Sequence, residues 1–172
     1  MDEESFERGI PTPSIFLKEA LDPDGATKIS PFGGVVVMAV LFGRNLTHLH
    51  RPGPDDDDTN LNGDFWRRHR NMDNILLNIV LSLPDHLRLP GGIDVPNVIF
   101  TNMAIHTSTI CLHQAAIFKA DSVRLPSNTS AESKIRCITA ASEIASIMRM
   151  ISHRDVTLVS RYDRTRQGLN QY

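Results

Sequence analysis

A chain of 172 residues, 41% of them hydrophobic, is long enough for one domain with a substantial core. Its 18 basic and 20 acidic side chains leave a formal charge of -2, which excludes an overall electrostatic pull toward nucleic acid or an anionic membrane. With only Cys111 and Cys137, and no signal peptide after Met1, a disulfide scaffold is excluded and reduced thiols in an intracellular setting are expected.

Residues 1–29 form an acidic lead-in through Pro11-Thr12-Pro13, with a possible short helix over Ser14 to Leu21 that stops at the turn-forming Asp22-Pro23-Asp24-Gly25. The next helix is well bounded. Ser30 can cap it, Pro31 fits the first helical position, and Pro52-Gly53-Pro54 ends it just after His48, His50 and Arg51. Val35 to Phe42 are almost continuously apolar, so this segment is expected to be buried, and Gly33-Gly34 to permit close backbone approach. Asp55 to Asp58 with Thr59-Asn60 form a charged linker that lacks the spacing of a calcium loop.

From Asp64 a third segment carries Phe65, Met72, Ile75, Leu76, Ile79 and Leu83 at helical spacing, until Pro84 ends it. An irregular connector follows over residues 84–96. A long helix is predicted over residues 96–120, apolar nearly all round and therefore the centre of a bundle, with the stripe Ile99, Met103, Ile110 and Ile117 taking in His106 and His113. After Pro126, Thr129 and Glu132 have capping-box spacing, and Glu132 stands four residues before Arg136. The stripe of this last helix is Cys137, Ala140, Ala141, Ile144, Ile147, Met148 and Ile151, whose small residues favour an antiparallel hairpin with the central helix. Residues 154–172 read as a polar, frayed tail. No β-alternation is present, so the fold class is all-α: an irregular helical bundle around a central helical hairpin, with residues 30–153 as the folded part.

Seven histidines raise the question of a metal. His106 and His113 stand two helical turns apart, about 10 Å, too far for one zinc ion without a third element, so they are expected to be satisfied core histidines. Helix capping accounts for His48 and His50. Val95 to Phe118 is long enough for a membrane helix, but Asn97, Asn102, His106, Ser108, His113 and Gln114 make lipid costly, so no membrane span is expected. There is no Gly-rich phosphate loop, nucleophile elbow or HExxH motif, and surface or capping roles are expected for Asp73 and Asp85. The one basic cluster with an aromatic, Trp66-Arg67-Arg68-His69-Arg70, is expected to be an exposed helix face paired with Asp64 and the Asp55 to Asp58 run rather than a nucleic-acid contact.

Several blocks in order resemble a known family. Phe65-Trp66-Arg67-Arg68-His69-Arg70, Asp73-Asn74-Ile75-Leu76-Leu77 and Leu83-Pro84-Asp85-His86-Leu87-Arg88-Leu89-Pro90 are similar to the fungal-specific transcription factor domain, the middle homology region of xylanolytic-type activators. Asn102-Met103-Ala104-Ile105-His106, Cys111-Leu112-His113-Gln114-Ala115-Ala116-Ile117-Phe118, Arg136-Cys137-Ile138-Thr139-Ala140-Ala141 and Met148-Arg149-Met150-Ile151-Ser152-His153 resemble its central hairpin. The resemblance implies a nuclear regulatory domain that serves a DNA-binding binuclear zinc cluster. That cluster needs six closely spaced cysteines, so its zinc-binding and DNA-binding residues have no positions here to be carried onto.

The expectation is therefore a regulatory and interaction domain of a fungal transcription factor, a fragment of a longer domain, and not an enzyme. No catalytic, cofactor-binding or metal-binding residue is assigned, and no cofactor. Partners are expected to be proteins or a second copy through exposed apolar helix faces, with DNA reached only through the absent cluster and no membrane. The alternative is a small helical ligand-binding protein or enzyme, which a solvent-open cavity lined by His106, His113 and Gln114 would support.

Overall fold

In the computed structural model the described residues are 7–11, 16–20, 25, 28–50 and 57–169, with 155–169 described as backbone alone. They contain five α-helices and no strand: α1 (Leu17–Ala20), α2 (Pro31–His50), α3 (Asp64–Ser82), α4 (Pro96–Ser122) and α5 (Ala131–Leu169). Two 3-10 turns, Asp85–Leu87 and Ser127–Ser130, lead into α4 and α5. The all-α expectation holds. The expected stop at Pro52-Gly53-Pro54, residues 55 and 56 of the acidic run, and the turn at Asp22 to Asp24 lie outside the described residues.

Local chemistry explains the start of α2, where the Gly33 amide donates to Ser30 Oγ (3.1 Å) and Pro31 occupies the first helical position. Its inward face is Gly34, Val37, Met38, Leu41, Asn45 and His48. A Cβ at Gly34 would lie 2.9 Å from Thr101 Oγ1, so the glycine lets α2 approach α4 closely. Further along, Asn45 Nδ2 donates to the Ser108 carbonyl at 2.9 Å. Residues 35–42 are not buried all round as their composition suggested, because Val36 and Ala39 face outward. By length and composition alone this helix could cross a membrane, and here one face of it packs on α4.

Helix α4 is the shared centre, with α2, α3 and α5 packed around it. Its buried line is Val98, Thr101, Ile105, Ser108, Leu112 and Ala116, displaced by one or two residues from the expected stripe, of which His113 alone is buried. Ile99, Met103, Ile110 and Ile117 are half-buried flanks instead. Spacing fixes that an apolar helix has an inner face, but when most sides are apolar only the neighbours select which one. Residue order at the contacts makes α2 run in the same sense as α4, and makes α3 and α5 antiparallel to it. The buried Met38, Leu41, Leu76, Leu87, Val98, Ile105 and Leu112 join three of these helices in one cluster.

The connector before α4 is tied down by polar groups. Arg88 Nε and Nη2 donate to the carbonyls of Leu83 (2.5 Å) and Leu81 (2.8 Å), and Asn102 Nδ2 donates to Leu87 O (2.8 Å). In the hairpin, the Leu125 amide closes α4 by donating to Ala120 O (2.9 Å), with Arg124 in the left-handed region at φ 55°. The Thr129 amide donates to Pro126 O in the 3-10 turn, where a capping box with Glu132 was expected. Helix α5 then continues to Leu169, past the expected fraying at His153. Residues 154–167 contain no proline or glycine to break a helix.

Candidate functional site

The histidines and the basic cluster are sorted by α3. Positions 65, 69, 72 and 76 form its inward line at helical spacing, so Phe65, His69, Met72 and Leu76 are buried, and Trp66 is buried beside them. Trp66-Arg67-Arg68-His69-Arg70 is therefore not one exposed face. Its aromatic and its imidazole point into the core, while Arg67 and Arg70 face outward. Arg67 pairs with Asp64 at 2.8 Å, and Arg70 donates to Leu61 O at 2.9 Å. Of the acidic linker, residues 55 and 56 lie outside the described residues, and Asp58 reaches a lysine rather than an arginine. Asp58 pairs with Lys119 (2.8 Å) and its carbonyl accepts from Trp66 Nε1 (3.0 Å), while Lys119 Nζ lies 4.8 Å above the Phe65 ring.

From this layer a polar cluster continues inward. His48 is not a terminal cap: it is buried and stacked on Phe65 at 4.8 Å between ring centres. His69 meets His113 edge-on at 5.1 Å. His113, also buried, spans two helices, with Nε2 3.1 Å from Asp73 Oδ1 and Nδ1 3.1 Å from Ser133 Oγ. The one ring thus ties α4 to α3 through Asp73 and to α5 through Ser133. Arg136 Nη2 donates to the same Asp73 oxygen. Its Nε stands 3.5 Å from His113 Nε2, at the outer limit of a hydrogen bond.

Asp73 and Arg136 correct two expectations. Asp73 is not a surface acid, and Arg136 turns to it across 63 residues rather than to Glu132 within its own helix. Burial pushes the Asp73 carboxyl up, but the donors His113 and Arg136 overcome this and hold it at about 2. Burial, reinforced by the neighbouring His113 and His48, pushes His69 down to about 4. Its Nδ1 has no hydrogen-bond partner among the described residues. Sequence reasoning missed this cluster because its members are 40 and 63 residues apart. The one available signal was Asp73 on the same side of α3 as buried residues.

His113 and His106 part company. His106 turns away from the cluster to line a groove of about 440 Å³ between α3 and α5, and burial pushes its imidazole down. Gln114 is exposed, so the cavity of His106, His113 and Gln114 that would have favoured a ligand-binding protein or enzyme is not assembled in that form. Cys111 and Cys137 are half-buried free thiols, Cys137 Sγ lying 3.7 Å from Ile110 O, and burial with Cys111 nearby raises the Cys137 thiol. Among the described residues no group of three or more histidines, cysteines or acids could hold a metal ion.

An all-helical body stitched by a part-buried His–Asp–Arg cluster is the class that fold and site define. The chain is similar to two fungal transcriptional regulators. It is 30% identical over 113 residues to the transcription factor tazR of Aspergillus terreus, covering 64% of this chain and 18% of that protein. It is 27% identical over 112 residues to the pigment biosynthesis transcriptional activator pigB of Monascus ruber, covering 64% and 20%. The chain thus spans about a fifth of the length of these curated relatives. No family model matches the chain, and no solved structure matches it.

Proposed function

We propose that this chain is a regulatory and interaction domain of a fungal transcription factor, acting in the nucleus, without a DNA-binding zinc cluster of its own and without catalytic activity. The observation that carries this reading is the likeness over nearly two thirds of the chain to two fungal regulators, neither of which is named as an enzyme. The fold supports it in two ways. Burial of Trp66 and His69 removes the aromatic component from the basic cluster, and the outward Arg67 and Arg70 are engaged by Asp64 and the Leu61 carbonyl. Large apolar side chains stand outward on α4 and α5, including Phe100, Phe118 (75% exposed), Ile135 and Ile138 (71%), a surface suited to protein partners or a second copy.

The test is a fusion of the whole chain to a heterologous DNA-binding domain, read on a reporter in a filamentous fungus. A change in reporter output that disappears with Ile138→Glu or Phe118→Glu, at equal protein level, is the expected result. Output equal to the DNA-binding domain alone would overturn the regulatory reading. In parallel, the purified chain is expected to hold no stoichiometric zinc after dialysis and to show no sequence-specific duplex DNA binding. One zinc per chain, or a specific DNA complex, would refute the assignment of those functions to a separate segment.

A further inference from the structure

The groove beside the part-buried cluster is a candidate ligand site. Helices α3 and α5 both lean on α4 and are bridged by the Asp73–Arg136 pair. Beyond that bridge the space between them is open, at about 440 Å³, within the range of small-molecule sites. One wall is Leu76, Leu77 and Val80 of α3, the first buried and the other two partly exposed at the rim. On the other wall Arg136 and Glu143 come from one face of α5, two turns or about 10 Å apart. His106 completes the lining from α4.

Charge selects among possible occupants. The Arg136 guanidinium is already balanced by Asp73, whose carboxyl stays ionised down to about pH 2. Burial favours the neutral form of His106 and outweighs the opposing pull of the Glu143 charge. Glu143 forms no ion pair among the described residues, which leaves it as the uncompensated charge on the groove wall. The Nη1 hydrogens of Arg136 likewise have no partner among the described residues, so a donor remains at the opposite end. An organic anion would meet Glu143 with a charge of its own sign; a cation would be paired.

We propose that this groove binds a small amphipathic amine, with its ammonium at Glu143, its apolar body against Leu76, Leu77 and Val80, and a hydrogen-bond acceptor at the Arg136 end. The site takes an organic molecule and is separate from the outward apolar faces of α4 and α5 offered above to protein partners. Neither depends on the other.

Titration of the full chain by calorimetry, using 4-phenylbutylamine, 4-phenylbutanol and 4-phenylbutyrate, isolates the head-group charge on one skeleton. The amine is expected to bind most tightly, about fivefold better than the alcohol, the upper range for a solvent-facing ion pair, and the acid least. Glu143 is exposed, so Glu143→Gln is expected to leave the melting temperature unchanged while bringing the amine down to the affinity of the alcohol. Val80→Trp fills the groove from its rim and is expected to abolish binding of both. An order with the acid at or above the amine overturns the proposal. So does amine binding that survives both substitutions, or absence of binding by all three probes.

Discussion

Asp73→Asn tests the part-buried cluster with almost no change in shape. The substitution removes the charge that faces Arg136 and weakens the acceptor of the His113 Nε2 hydrogen, without opening a cavity. Holding the carboxyl at about 2 instead of its ordinary 3.8 is worth at most about 2.5 kcal/mol above pH 4. The side chain keeps 20% of its surface in water, so solvent screening reduces the expected loss to about 1–2 kcal/mol. The folded pKa lies below the unfolded one, so this stability is fully present above pH 4 and disappears as pH falls through about 2. Urea denaturation of parent and variant should therefore show a constant gap from pH 7 to pH 5 that narrows below pH 4. Equal stability at pH 7 would mean that the cluster does not contribute, and a gap unchanged at pH 3 would mean that charge is not its source.

His69 sets a second window. Its folded value of about 4 lies below the ordinary 6.5, so its neutral form is favoured in the fold, and stability present above pH 6.5 is lost as pH falls toward 4, by up to about 3 kcal/mol. His69→Leu should lack this part of the acid loss in the same titration, and an identical pH profile would refute the assignment. In the core, Leu112→Ala should cost about 2–5 kcal/mol by denaturation, because Leu112 is fully buried on the shared helix. Ile110→Asp, on a half-buried flank, should be milder than Leu112→Asp; the reverse order of melting temperatures would restore the stripe that spacing alone suggested. Finally, exposed Phe118, Ile138 and Met148 should make sedimentation depend on concentration and bind a dye that reports apolar surface, whereas a concentration-independent monomer without dye binding would argue against an interaction surface.

The particular elements show where sequence suffices. Ser30-Pro31, Pro84 and Pro126 set boundaries that hold in the structure, because capping and the loss of a proline amide act within one turn of chain. Helical spacing likewise made the class all-α and placed α4 at the centre, and the ordered blocks carried the resemblance to fungal transcription factors that the relatives support. Spacing misled at Val35 to Phe42 and on the α4 stripe, where apolar residues occur on several sides and only neighbouring helices choose which are buried. The polar stretch after His153 was misjudged for a different reason, since polarity bears on burial and not on helicity. What tertiary structure alone decided is the site: that Arg136 leaves Glu132 for Asp73, and that His113 joins them while His106 faces the groove. These pairings link α3, α4 and α5 across 20 to 63 residues, and a desolvated charge takes the partner that packing brings to it rather than the nearest one in sequence.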